Sequence, residues 1–205
     1  MTDNSNDERW VSLSNSNKDY ENVLNSESGS FFVDDKGIVQ RFVPASDNRF
    51  IDEETEFNGN YTYTTHKSIR TLIVPSGVKG FVSDFMRGVK VIERFEFPEG
   101  LISIGEDCFA NCILPKVIIP DTIQCVGDFA FGHTHIDTLQ LPTTLHSPYG
   151  RQFKDSYIGT LRLPKEWKDD ISIEDERLGV YHVLNSKDYG YLQWPSTYVK
   201  RIEFY

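Results

Sequence analysis

Three cysteines and five histidines are the residues of this 205-residue chain best suited to metal ligation or thiolate chemistry. Cys108 and Cys112 have the C-x3-C spacing of half a zinc site, but Cys125 stands alone and no second pair of matching spacing follows. Cys108 also directly precedes the apolar Phe109, so these thiols read as small buried hydrophobes. His133 and His135, in "HTH", would share a face if they lay on a strand. No carboxylate or thiol of matching direction accompanies them, and a solvated turn accounts for them better. His66, His146 and His182 are isolated. The acidic runs "IDEETEF" (residues 51–57) and "EWKDD" lack the alternating acid and glycine spacing of a calcium loop and read as solvated loops. No G-x-S-x-G, H-E-x-x-H, P-loop or G-x-G-x-x-G occurs. Ser, His and Asp all occur, but nothing in the order of the chain brings them together. The expectation is a chain with no catalytic residue, no metal and no cofactor.

What positions the three cysteines, His133 and His135 is a repeat. Prolines fall at 75, 98, 120, 142 and 164, with gaps of 23, 22, 22 and 22. A fixed period of this size marks a solenoid. One residue before each proline stand Val74, Phe97, Ile119, Leu141 and Leu163; three before stand Leu72, Phe95, Val117, Leu139 and Leu161. Six before stand Ile69, Ile92, Leu114, Ile136 and Ile158, and three after stand Val78, Leu101, Ile123, Leu145 and Trp167. Eleven after stand Met86, Phe109, Phe131 and Phe153, where the fifth copy has Asp175. Val199, Ile202 and Phe204 repeat the spacing at the chain end, with Tyr205 in place of proline. The residues one and three before proline form one face of a short strand. Proline ends that strand because it has no N–H for a ladder. One such coil leaves its apolar edges bare, and stacked coils cover one another.

The phrases "IPDTIQCVGDFAFG" and "FPEGLISIGEDCFANC" share the plan [IF]-P-x-x-[IL]-x-x-[IV]-G-x-x-[AC]-F. They resemble the BspA-type leucine-rich repeat of bacterial and some protist proteins, over about Ser68 to Trp167. The copy after Pro142 lacks the Ile-Gly pair and the copy after Pro164 lacks the Phe. The resemblance implies a β-rich solenoid: a short right-handed leucine-rich-repeat coil of about five to six repeats, with the strand on its concave face. It also implies a small buried residue at Cys112, an adhesion or protein-interaction role, and no catalytic residues.

Four regions follow. Residues 1–30 hold six Asn and seven Ser and read as a polar tail, poorly packed unless something covers Trp10, Val11 and Leu13. Residues 31–67 read as an N-terminal β cap, with hairpin turns at Asp34–Gly37 and Asn58-Gly59. Residues 68–167 are the solenoid, and 168–205 are a C-terminal cap and last strand. Both caps cover apolar core and strand edges that a bare solenoid end exposes. The formal net charge is -10, and residues 1–65, with 13 acids and 5 bases, carry -8 of it. No basic stripe suits nucleic acid or an anionic membrane. No run approaches the roughly 20 apolar residues of a spanning helix. The polar start "MTDNSNDERW" has no secretory signal, and the cysteine number is odd, so a cytoplasmic protein is expected. A cell-surface or secreted location is expected if a signal has been removed.

The site expected to act is the outward face of the strands. Two residues before the prolines stand Ile73, Glu96, Ile118, Gln140 and Arg162; four before stand Thr71, Arg94, Lys116, Thr138 and Thr160. Neighbouring strands lie about 4.8 Å apart, so each set forms a column. Polar columns are ordinary solvated strand positions, laddered to keep like charges apart. Ile73 and Ile118 point instead to contact with a protein or other macromolecular partner. Six strands span only about 25 Å, which fits an interface of small or standard size. The alternative is a spacer module that self-associates through end caps or edge strands. A hydrolase using acids of the caps carries least weight, because a smooth strand face lacks a pocket of perturbed titratable groups.

Overall fold

The computed structural model describes residues 22–51, 67–144, 151–175, 180–184, 191–192 and 197–205. The chain opens with a meander of β1 (Asn22–Ser26), β2 (Gly29–Val33) and β3 (Ile38–Pro44), followed by β4 (Arg49–Ile51). Each coil then places a long strand just before its proline: β5 (Lys67–Ile73), β7 (Val89–Glu96), β9 (Ile113–Ile118), β11 (His135–Gln140) and β12 (Tyr157–Leu163). Two-residue strands follow three of the prolines: β6 (Gly80–Phe81), β8 (Ser103–Ile104) and β10 (Cys125–Val126). After β13 (Ile171–Asp175), β14 (Val180–Leu184) and β15 (Tyr191–Leu192), the chain closes with β16 (Tyr198–Phe204). The long strands stack in the order β16-β12-β11-β9-β7-β5, and the short ones in the order β6-β8-β10. The molecule is thus a β-solenoid of parallel sheets, with almost no helix among the described residues.

The last strand falls in the predicted register: Ile158 pairs with Val199, Leu161 with Ile202 and Leu163 with Phe204. Leu72, Val117, Leu139 and Leu161, three residues before their prolines, are fully buried, and so are Ile69, Ile136 and Ile158, six before. An odd spacing cannot point inward twice on a strictly alternating strand. The ladder resolves this by skipping one residue: Ile136 pairs with Ile158, then Thr138 with Thr160, leaving Asp137 and Gly159 out. One expected core position fails. Ile92 is 42% exposed, and Val91 is buried in its stead. The 23-residue gap carries an extra residue, which β7 absorbs as a bulge: Ile69 pairs with Val91, then Thr71 with Arg94.

Inside the coils, Phe109 stacks on Phe131 at 5.4 Å and 15°, and Phe131 on Phe153 at 5.2 Å and 5°. All three rings are buried. Their backbone needs are met by the next coil. The N–H groups of Met86, Phe109 and Phe131 donate to the carbonyls of Cys108, Ala130 and Gln152. The carbonyls of Met86, Phe109, Phe131 and Phe153 accept from Cys112 Sγ (3.0 Å), Thr134 Oγ1 (2.7 Å), Ser156 Oγ (2.6 Å) and Thr197 Oγ1 (2.5 Å). This column of small donors explains why polar groups sit in the core, since a buried carbonyl left unbonded is costly. The turn beside it needs left-handed backbone at Asn111 (φ 58°), His133 (φ 54°) and Asp155 (φ 58°), side chains that tolerate it.

Coil spacing depends on the Ile-Gly pair. A Cβ on Gly127 would lie 2.5 Å from the Glu106 nitrogen, and one on Gly105 would lie 2.6 Å from Val82 backbone. Only glycine lets successive coils approach this closely. The first coil tolerates Val82 at the same position because its neighbour there is β3, not another full coil. Gly127→Ala is therefore expected to cost about 1–3 kcal/mol through overpacking. Gly100→Ala, whose methyl meets only the end of Lys79, should be nearly silent. Chemical denaturation of the two variants side by side checks this.

The ends differ from expectation in one respect. The polar tail was expected to run to residue 30, yet Asn22–Ser26 form β1, paired with β2, and Ser28 is fully buried. Ser28 Oγ donates to the Ile73 carbonyl and accepts from its N–H, both at 3.1 Å, so the β1–β2 turn fastens the edge of β5. Beyond it, β3 extends the short-strand sheet and β4 the long-strand sheet. The turn Asp34–Gly37 joins β2 to β3. Trp10, Val11, Leu13 and the hairpin turn at Asn58-Gly59 lie outside the described residues.

Candidate functional site

The outward columns assemble as the registers dictate. Thr71 pairs with Arg94 and Ile73 with Glu96; Lys116 pairs with Thr138 and Thr138 with Thr160; Ile118 pairs with Gln140 and Gln140 with Arg162. Their exposure is uneven. Arg94, Glu96, Lys116 and Ile118 are exposed, Ile118 at 43%. Thr160 is buried beneath Arg201, which donates to its Oγ1 at 3.1 Å. Ile73, expected to be an exposed contact, is only half-exposed, because Ser28 and the β1–β2 turn close over the end of β5. Thr71, Thr138, Gln140 and Arg162 are half-buried.

The two ends of the face are electrostatically closed. At the β12–β16 end, Arg162 donates to Gln140 Oε1 at 2.7 Å and approaches Glu203 at 3.9 Å, while Arg201 pairs with Glu203 at 3.2 Å. Tyr205 donates its hydroxyl to the Leu141 carbonyl at 2.7 Å, in line with the closing position it fills. At the β5–β7 end, Arg94 grips Glu96 with two hydrogen bonds (2.7 and 3.2 Å) and reaches Glu27 at 2.9 Å. The bond from Arg94 holds the Glu96 carboxyl below its usual range, and Glu96 in turn raises the Arg94 guanidinium. These groups are exposed, so the pair contributes little to stability and chiefly fixes side-chain positions. At the start of β11, β12 and β16 runs a column that the sequence reading missed: His135 stacks on Tyr157 at 4.6 Å, and Tyr157 on Tyr198 at 5.1 Å.

Between the two ends the sheet opens. β9 and β11 pair over five positions, but β7 and β9 pair only at Lys90 and Ile113. Beyond that point lies a cleft of about 410 Å³. Glu93, Arg94, Glu96 and Lys116 line its mouth, and Phe95, Phe97, Pro115, Ile118 and Pro120 supply apolar walls. Arg94, Glu96, Lys116 and Ile118 were legible as a patch; Glu93, Phe97 and Pro115 were not. The longer proline gap and a proline inside a strand were the sequence marks of the opening.

The residues with reactive chemistry lie elsewhere. Cys108 and Cys112 are fully buried, and burial pushes the Cys112 thiol up to about 12 and that of Cys108 well up too. Both are neutral thiols, Cys112 serving as a donor in the interior column. Cys125 is exposed on β10. His133 sits in the left-handed turn, 3.9 Å from Asp155, whereas His135 lies on β11, 3.1 Å from Asp137, so the two do not share a face. Among the described residues no three of His, Cys, Asp and Glu converge on a metal position, and no helix is long and apolar enough to cross a membrane.

Stacked coils of one long strand, one proline and one short strand, with a shared apolar interior and an open strand face, define a solenoid repeat protein of the leucine-rich-repeat kind. The family model of the BspA-type leucine-rich repeat region matches residues 56–172 with six copies, and the chain belongs to that family. No curated protein and no solved structure matches it. Membership suggests a protein-interaction module.

Proposed function

We propose that this chain is a non-enzymatic interaction module that binds a protein partner through the outward face of its long strands, in an adhesion-related setting. The observation that carries the reading is Ile118: an isoleucine 43% exposed at the centre of a strand face, beside the exposed Lys116. A large apolar side chain held out to water at the wall of an open cleft suits a contact. The net charge of -10 speaks against nucleic acid. The test is Ile118→Asp. Partner binding should fall at least tenfold while the melting temperature stays within a few degrees; unfolding would show that Ile118 belongs to the core. A second reading, self-association, draws on β1, which pairs with β2 on one side and carries Val23, 48% exposed. Among the described residues nothing pairs with its other edge, and such an edge invites a second copy. Light scattering decides between them: the first reading expects a monomer, the second a dimer that Val23→Lys dissolves.

A further inference from the structure

The opening between β7 and β9 is built into the two strands. By repeat position, Leu114 and Lys116 of β9 stand beside Val91 and Arg94 of β7. Between the first pair lies one residue, Pro115; between the second lie two, Ile92 and Glu93. Proline gives no N–H to a ladder, and a bulge breaks its spacing. The two defects face each other, and the strands part on the C-terminal side. The bonds that tie successive coils there show it: Val74 N–H donates to Glu96 O, Ile119 to Gln140 O and Leu141 to Arg162 O. Among the described residues, Phe97 N–H and Ile118 O do not make the corresponding bond.

The charges around the opening are also uneven. Arg94 is neutralised by Glu96 and Glu27, and Glu93 pairs with Arg70 at 3.4 Å. Among the described residues the Lys116 side chain makes no ion pair or hydrogen bond, although it lines the cleft beside Ile118, and the Glu99 carboxylate, also on the lining, makes no ion pair. The cleft therefore offers three things together: strand backbone without a ladder partner, an apolar wall of Phe97, Ile118 and Pro120, and the unpaired Lys116 ammonium beside Ile118, with the Glu99 carboxylate elsewhere on its lining.

We propose that this opened ladder is a docking slot for an extended peptide segment of the protein partner, carrying an apolar side chain next to an acidic one. The reading rests on the proposed function and narrows it to one place and one ligand chemistry. Main-chain bonds to the backbone groups left over at the proline ends of the two strands, Phe97 N–H and Ile118 O, hold such a segment. The apolar side chain fills the wall between Phe97 and Pro120, and the carboxylate meets Lys116. A volume of about 410 Å³ suits an anchored side chain with a short length of backbone. The broken ladder is retained at a cost in stability, as functional sites commonly are.

The experiment pans a phage-displayed heptapeptide library on the full chain and measures the selected peptides by fluorescence anisotropy. Enriched peptides should place Asp or Glu beside Phe, Leu or Ile. Lys116→Glu should weaken them at least tenfold, and replacing the peptide's acid with lysine should restore binding to that variant. Pro115→Thr returns a ladder N–H; it should raise the melting temperature and weaken the peptides at least tenfold, a pairing that misfolding cannot produce. Failure to enrich any peptide, or peptides indifferent to both Lys116→Glu and Pro115→Thr, overturns the slot. If those peptides are lost with Arg162→Glu instead, the slot fails while the strand-face reading stands. If binding also survives Arg162→Glu and Ile118→Asp, both fail.

Discussion

Phe131→Ala is expected to destabilise the protein by about 3–5 kcal/mol, the range for truncating a buried aromatic ring. The reason lies in its place at the middle of the column. Phe131 is fully buried and stacks on Phe109 at 5.4 Å and Phe153 at 5.2 Å, so truncation removes contacts to the coil on either side. Stacked aromatic pairs add roughly 0.5–1.5 kcal/mol each beyond area burial. The walls cannot collapse freely into the space. The Phe131 N–H is tied to Gln152 O and its carbonyl to Ser156 Oγ in the following coil, and the Phe109 N–H and carbonyl of the preceding coil are tied to Ala130 O and Thr134 Oγ1, so both neighbouring coils are held at fixed spacing. A protein of this size has about 5–15 kcal/mol in total, so the variant should lose a large share of it. Urea denaturation is the measurement. A loss under about 1 kcal/mol would mean that the coils repack around the gap and that the aromatic column does not set their register.

The coil was readable in the sequence because its constraints are local. Proline ends a strand for reasons within one residue, and the inward positions recur at fixed offsets from it. The closing strand could be placed for the same reason: Val199, Ile202 and Phe204 keep the offsets, although Tyr205 replaces proline. The errors arose where a second segment acts. Ile73 belongs to the outward column, but Ser28, far away in sequence, closes over it. Ile92 has the right offset from Pro98, but the extra residue of that coil is taken up on its proline side, which turns Ile92 outward and Val91 inward. The cleft needed two such facts at once, a bulge in β7 and Pro115 in β9. Each looks like a minor irregularity within its own coil. Their effect appears only when the coils stack and the two defects fall side by side.

Asn48→Ala is expected to cost roughly 3 kcal/mol, because this one side chain finishes the edge of the solenoid. β5 is the first long strand of the stack, and among the described residues no other coil takes its outer hydrogen bonds. β4 supplies some of them, pairing Arg49 with Ile69 and Ile51 with Lys67, but it does not reach Thr71. Asn48 does. Its Oδ1 accepts from the Thr71 N–H at 2.7 Å, and its Nδ2 donates to the Thr71 carbonyl at 2.8 Å and to the Ser28 carbonyl at 2.7 Å. The amide thus stands in for one residue of a missing strand. Asn48 is itself buried, so losing the amide strands backbone groups away from water. Each buried group left unbonded costs about 1–3 kcal/mol; the Thr71 N–H and carbonyl lose their partner, whereas the Ser28 carbonyl keeps the Ala45 N–H, so the sum for two groups is roughly 3 kcal/mol. Asn48→Asp should be no milder, since a carboxylate accepts from Thr71 but cannot donate to either carbonyl. Hydrogen exchange separates this account from general loosening. The Thr71 amide should exchange much faster in Asn48→Ala, while the Phe131 amide, deep in the stack, should change only with global stability. If Thr71 exchanges as in the parent protein, β4 alone caps the solenoid and Asn48 is dispensable.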